Sequence, residues 1–349
     1  MNSPLGMFRK AATKAARWLR FALETLSLPF DRDCRVSFTN FWQSGDLEAD
    51  IWFYPVLKDV AERCEPGLRC RISRVFPHIG FMSVLGEASR LDKVRASREI
   101  FFSGECVRPS GLTEWSAYGD YRLNDVDLAL GFDPEDSVGS PKYLRFPLWI
   151  LYLFTGLESK DEIVTRFAEL NQRQFAKKKF CALIARHDRS GIRAGIVNSL
   201  ASIGRIDCAG SWLTNDRSLV DEFKDDKESY LRQYKFNICP ENTVAAGYVT
   251  EKLFQSFLSG CVPIYCGADG DPEPLVVNPE AVIFWEKDGD NGEVIERVRR
   301  LQEDDGAYAR FVGGRRFRDT AVDFVWERLE LLRSRLGELL PRGRLAEPR

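Results

Sequence analysis

At 349 residues, with 44% hydrophobic and 29% charged positions, the chain is long enough for two domains and too evenly mixed for a disordered or fibrous protein. A net charge of -2 excludes a surface coated in positive charge for nucleic acid, so any anion site has to be assembled from a few local Lys and Arg. Nine Cys without a C-x-x-C pair, and only two His (His78 and His187), count against a thiolate zinc centre and fit reduced, buried thiols in a cytoplasmic protein.

Within the first thirty residues Phe8, Ala11, Ala15, Trp18, Ala22 and Leu26 recur at helical spacing, with Arg9, Lys10, Lys14, Arg17 and Arg20 on other faces. Two readings are open: a basic helix in peripheral contact with the inner membrane surface, or a solvated helix docked on its own domain. No long apolar core with a small-residue cleavage site follows the basic start. The longest apolar run, PLWILYLF at 147–154, is far short of the ~20 residues a membrane helix needs.

Next come strand-like runs at 34–38, 70–75, 79–84, 99–102 and 126–130, several ending in Gly, Pro or Asn, with helix-like segments predicted at 55–63 and 87–96. This is an open α/β pattern. The charged stretch 158–179 reads as the connection to a second α/β series, with Lys177, Lys178 and Lys179 as its solvated end. That series is predicted as strand 180–185, helix 192–203, strand 206–208, helix 219–231, strand 235–239, helix 250–259 and strands 262–266 and 281–285. An amphipathic helix over 320–340 closes the chain. The domains are drawn at 1–160 and 161–349.

The most informative stretch is 234–267, YKFNICPENTVAAGYVTEKLFQSFLSGCVPIYCG. Pro240 ends a strand. Glu241 and Asn242 open a loop of small residues that a ligand can approach closely. Thr250 is the expected N-cap, Leu253, Phe254, Phe257 and Leu258 the buried stripe, and Gly260 the left-handed cap. A helix starting beyond the carboxyl end of a parallel strand is a place for a diphosphate, and Lys252 adds a full charge there. Glu251 would repel the anion, so a hydroxyl is the better partner for it. On these residues alone, a plain helix start in which Glu251 favours the dipole and Lys252 is solvated is the stronger reading.

The string KFN-I-C-x-EN-(spacer)-GYVTEKL-(spacer)-G-x-VPIY-x-G resembles the donor-binding signature of the α-1,3/α-1,4-fucosyltransferase family, above all its bacterial members. IFFSGE at 100–105, VDLALGFD at 126–133 and YLRFPL at 143–148 are similar to the family's first-domain segments in the same order. The resemblance implies two Rossmann-like domains facing each other across a cleft, the GT-B architecture. It also implies inverting transfer of L-fucose from GDP-β-L-fucose to a hydroxyl of a GlcNAc- or Glc-containing glycan, in α-1,3/1,4 linkage, for cell-surface polysaccharide or lipopolysaccharide. By the same resemblance Asn242, Tyr248, Glu251 and Lys252 contact GDP-fucose, Arg193 gives its phosphates a second cation, and Glu105 is the general base. Pro240 stands where the family most often has an aromatic residue, which bears on packing of the purine.

Lys and Arg can hold a diphosphate leaving group without a bound metal, so no metal is required, and stimulation by a divalent ion is compatible with that. His187 reads as a residue that shapes its loop or touches the nucleotide, His78 as a turn residue, and Asp269 and Asp271 as members of a Gly-Asp turn. Two further readings stand beside the first: a transferase of the same fold using another GDP-sugar, and a non-catalytic glycan- or nucleotide-binding protein.

Overall fold

A computed structural model describes residues 22, 25, 26, 32–41, 51–87, 91, 95–108 and 115–341. Apart from positions 22, 25 and 26, the basic N-terminal segment lies outside the described residues. The chain divides into two compact units. One takes the described residues of Met1–Phe102 with Asn124–Leu128 and Arg333–Arg349, the other Ser103–Leu123 with Ala129–Leu332.

In the first unit β1 (Cys34–Thr39) leads through α1 (Phe53–Cys64) to β2 (Cys70–Ile72), β3 (Ile79–Ser83) and β4 (Arg98–Phe102). β1 pairs in parallel with β2 and β3, and β3 with β4. Every residue of β3 is buried, as expected of a parallel strand covered on both faces. Aromatic rings fill this core: Phe38 stacks on Phe81 at 5.0 Å and Phe53 meets the edge of Phe102 at 5.0 Å. Of the helix expected over 87–96 only positions 87, 91, 95 and 96 are described, and these are non-helical; the rest of that expectation lies outside the described residues. Side chains hold both ends of that stretch in other conformations. Asn40 Nδ2 donates to the Glu87 carbonyl at 3.0 Å, and Glu99 Oε1 accepts from the Ala96 amide at 2.7 Å. His78, expected as a turn residue, lies at a bend just before β3, and its Nδ1 accepts from the Arg35 amide at 2.9 Å.

β5 (Leu128–Gly131) pairs in parallel with β6 (Tyr143–Arg145) after the short α2 (Glu135–Val138), and the first sheet runs β2-β1-β3-β4-β5-β6. Then follow α3 (Trp149–Leu153) and α4 (Lys160–Gln172), whose start is a reciprocal capping box between Ser159 and Glu162.

The second sheet holds β7 (Lys179–Leu183), β8 (Ile206–Cys208), β9 (Tyr234–Ile238), β10 (Val262–Tyr265) and β11 (Ile283–Phe284) in the order β11-β10-β9-β7-β8, all parallel. α5 (Ile192–Leu200) follows β7 and α8 (Glu251–Leu258) follows β9. Between β8 and β9 the single helix expected over 219–231 is two, α6 (Ser218–Asp221) and α7 (Lys227–Leu231). Lys224 (φ 52°) and Asp225 (φ 65°) break it, and Asp226 caps the second piece through the Ser229 amide. Lys177 is not a solvated end: its Nζ donates to the carbonyls of Arg232 (3.0 Å) and Ser259 (2.7 Å). α9 (Gly292–Glu303) and α10 (Asp305–Val312), absent from the sequence reading, precede the closing α11 (Ala321–Leu339).

Two parallel sheets flanked by helices is the fold class expected. In the second sheet the chain turns outward from β7 to β8 on one side and from β9 to β10 and β11 on the other. The loops leaving β7 and β9 therefore diverge at a switch point, where parallel α/β sheets open a crevice at their carboxyl ends.

Candidate functional site

On the β7 side, Gly191 (φ 74°) turns the chain into α5, and the loop before it supplies the cap. Asp188 accepts from the amides of Arg193 (3.2 Å) and Ala194 (2.8 Å), closing two of the helix's unpaired donors. The Arg193 guanidinium, 4% exposed, donates to the His187 carbonyl at 2.9 Å, the Pro240 carbonyl at 3.3 Å and Asn242 Oδ1 at 2.9 Å. All three acceptors are neutral. Burial pulls its pKa below the ordinary arginine value, with Asp188 and Glu241 opposing. His187 shapes this loop through its carbonyl, as expected, while burial, then Arg193 and Arg189, lower its imidazole pKa.

On the β9 side the dominant group is one the sequence reading left without a role. Glu241 is 0% exposed. Its Oε1 accepts from the Thr250 amide (2.8 Å) and Tyr265 Oη (3.4 Å), and its Oε2 from Thr250 Oγ1 (2.7 Å) and Lys252 Nζ (3.0 Å). Thr250 is at the N-cap position, but its side chain makes no cap hydrogen bond. Its hydroxyl donates to Glu241 and accepts from Lys252 Nζ at 2.8 Å. Burial would discharge Lys252, yet Glu241 and then Glu251 hold its pKa above the ordinary lysine value. The rest of α8 follows expectation. Leu253, Phe254, Phe257 and Leu258 are buried, and Gly260 (φ 63°) ends the helix, with amides 260 and 261 returning to the Phe257 and Ser256 carbonyls.

Glu105 lies three residues beyond the end of β4, its turn fixed by the Ser103 hydroxyl, which donates to the Glu105 carbonyl at 2.7 Å. Tyr248, 1% exposed, donates its hydroxyl to Glu105 Oε2 at 3.2 Å, and its ring meets Phe132 edge-on at 4.9 Å. Burial raises the Glu105 pKa above the usual carboxylate range; Lys252 and the Tyr248 hydrogen bond oppose that, and Glu251 and Glu241 add to it.

The loop carrying Tyr248 is itself anchored. Arg145 NH2 donates to the Gly247 carbonyl at 3.2 Å and forks onto Glu273 at 2.7 and 3.1 Å, and Trp149 Nε1 completes Glu273 at 2.8 Å. Trp149 also stacks on Phe254 of α8 at 4.3 Å. Next to it on α3, Tyr152 is 50% exposed, and burial, then Glu251, raise its phenol pKa to about 12, with Lys252 and Glu105 also acting on it.

Of the predicted site residues, Arg193 and Asn242 touch, and so do Glu105 and Tyr248. Both cations bind one short stretch: Arg193 holds residues 240 and 242, and Lys252 holds residue 241. Glu251 is half-buried and acts on Glu105 and Lys252 through its charge. Glu241, Asp188 and the Arg145–Glu273 pair were missed. The signal for Glu241 was its place beside Asn242 at a strand end, and for Asp188 its place before Gly191. Among the described residues no group of three or more His, Cys, Asp or Glu could hold a metal ion. Nor, among them, is any helix long and apolar enough to cross a membrane.

Comparison with known proteins bears on what this arrangement belongs to. The model described as "Alpha-(1,3)-fucosyltransferase FucT N-terminal domain" matches residues 36–152, and "Glycosyltransferase family 10 (fucosyltransferase) C-term" matches 174–334. The "Alpha-(1,3)-fucosyltransferase FucT" of Helicobacter pylori is 26% identical over 300 residues, 78% of this chain and 58% of that protein. The "Alpha-(1,4)-fucosyltransferase" of Arabidopsis thaliana is 42% identical over 86 residues, 25% of this chain and 21% of that protein. The chain thus spans 58% or less of the length of these two relatives. A crystal structure titled as an alpha1,3-fucosyltransferase with GDP-fucose superposes with a TM-score of 0.56 at 20% identity, covering 88% of this chain and 91% of the other, a likeness of fold. Matched by family models on both sides of residues 153–173, the chain belongs to glycosyltransferase family 10, the fucosyltransferase family.

Proposed function

We propose that the protein transfers L-fucose from GDP-β-L-fucose to a hydroxyl of a GlcNAc- or Glc-containing glycan of a cell-surface polysaccharide or lipopolysaccharide, with inversion, in α-1,3/1,4 linkage. The observation that carries this reading is Glu105: a half-buried carboxylate with a raised pKa, oriented by Tyr248, close enough to Lys252 and Glu251 to feel both. A carboxylate so placed can take the proton of an attacking hydroxyl. Arg193, Lys252 and the first amides of α8 gather at the switch point, where they can hold charge developing on departing GDP. Glu251 serves a donor hydroxyl, and Asn242 and Tyr248 line the donor. The two family matches, 36–152 and 174–334, support an acceptor half over 1–160 and a donor half over 161–349.

The test is transfer from radiolabelled GDP-fucose across a panel of GlcNAc- and Glc-terminated glycans, with GDP-mannose in parallel and the product anomer read by NMR. Fucosylated α-product, formed equally with EDTA present, is the expected result. Transfer from GDP-mannose alone, or GDP-fucose binding without turnover across the panel, rejects the reading.

A further inference from the structure

We propose that Glu241 is a positioning residue for the donor site: from within the β9–α8 loop it fixes the start of α8 and keeps Lys252 in place as an ammonium before any diphosphate arrives. This deepens the donor reading above and rests on it.

A carboxylate with no exposed surface is tolerated only where its lone pairs are occupied. Of the four donors on Glu241, two belong to Thr250 and one to Lys252, so this one side chain staples the first turn of α8 to the end of β9. Helix capping alone does not account for it. Thr250 could cap α8 with its own hydroxyl at no desolvation cost, but that hydroxyl is turned to Glu241 and Lys252 instead.

The charged and titratable groups facing Lys252 are Glu241 in the β9–α8 loop, Glu251 on α8, Glu105 after β4, Tyr152 on α3, His187 before α5 and the Cys239 thiol just after β9. Among the described residues, only Glu241 lies within ion-pair distance. Desolvation works to discharge a lysine in this place, and Glu241 is what opposes it most. The ligand class that such a fixed ammonium suits is the diphosphate of a nucleotide.

GDP binding measured calorimetrically from about pH 6 to about pH 10, in wild type and Glu241→Gln, tests this. The guanine ring's own alkaline titration is common to both proteins. The variant should lose about tenfold or more in affinity relative to wild type as pH rises. Adding Lys252→Arg to Glu241→Gln should abolish that extra loss, because a guanidinium does not titrate there. A merely structural Glu241 would lower Tm and leave the pH profile parallel to wild type, and that result overturns the proposal. If Glu241→Gln does not fold, the side-chain 15N resonance of Lys252 in wild type, assigned from Lys252→Arg, decides. It should remain an ammonium beyond the ordinary lysine value of about 10.4, and titration at or below that value overturns the proposal. Should wild type bind no GDP at any pH, the donor reading fails, and this resonance alone judges Glu241.

Discussion

α5 and α8 start at the same switch point, each after a parallel strand, each with a loop carboxylate at its first turn and a cation close behind. The two starts handle that cation in opposite ways. Asp188 spends its oxygens on the backbone of α5, and the Arg193 side chain is satisfied by neutral carbonyl and amide oxygens. Glu241 takes the Thr250 amide and Lys252 together, so the Lys252 charge is already matched. Hydrogen bonding and charge compensation are separate quantities. Arg193 is bonded by neutral oxygens, whereas Lys252 is held in position at the expense of part of its field.

The comparison is broken most visibly at Glu105, which neither helix carries. If both helix starts serve the donor, Glu105→Gln should cut kcat by about 10²–10⁴ while GDP affinity holds, and equal losses in both would place Glu105 on the donor side. Its raised pKa also sets a sign. kcat/KM should fall as pH drops through a value above the ordinary carboxylate range, since the base is lost on protonation. Folding stability runs the other way: the raised carboxyl stabilises below its unfolded pKa, and that is lost as pH rises through the folded value. Glu105→Gln should therefore raise Tm at neutral pH, and an unchanged or lower Tm would contradict the burial argument.

Lys252→Ala should weaken transition-state binding by about 2–4 kcal/mol in kcat/KM; near-normal turnover would remove Lys252 from the diphosphate. Arg193→Lys keeps charge but loses the fork, and should cost about 1.5–3 kcal/mol of GDP affinity. If lysine substitutes without loss, the geometry at Pro240 and Asn242 is irrelevant to binding and the contrast between the helices dissolves. The smallest effect belongs to Asp188→Asn, about 0.5–2 kcal/mol of stability in chemical denaturation. A larger loss in GDP affinity than in stability there would mean that Asp188 reaches the ligand.

Much of this was legible because it is local. β7, β9 and β10 announce themselves as buried apolar runs, and the stripe and Gly260 of α8 follow from spacing alone. Glu105 is picked out through the family resemblance of IFFSGE, not from its spacing. What could not be read depends on residues far apart in the chain. Tyr248 meets Glu105 across 143 positions and Arg145 meets Glu273 across 128, and nothing in the strings around them signals either pairing. Glu241 reads as a polar loop residue until β9, β10 and α8 bring Thr250, Lys252 and Tyr265 around it. The split of α6 from α7 turned on left-handed backbone at Lys224 and Asp225, residue types that do not advertise it.

Gly247 has a consequence for anyone diversifying the loop that carries Tyr248. Its φ of 74° suits glycine, and a β-carbon there would come within 2.6 Å of the Phe132 carbonyl oxygen, which cannot step aside as a flexible side chain would. Position 247 thus has an alphabet of one letter. Libraries meant to retune selectivity belong at its half-buried neighbours Val244, Ala245 and Ala246, where variation leaves that crossing of two backbones undisturbed.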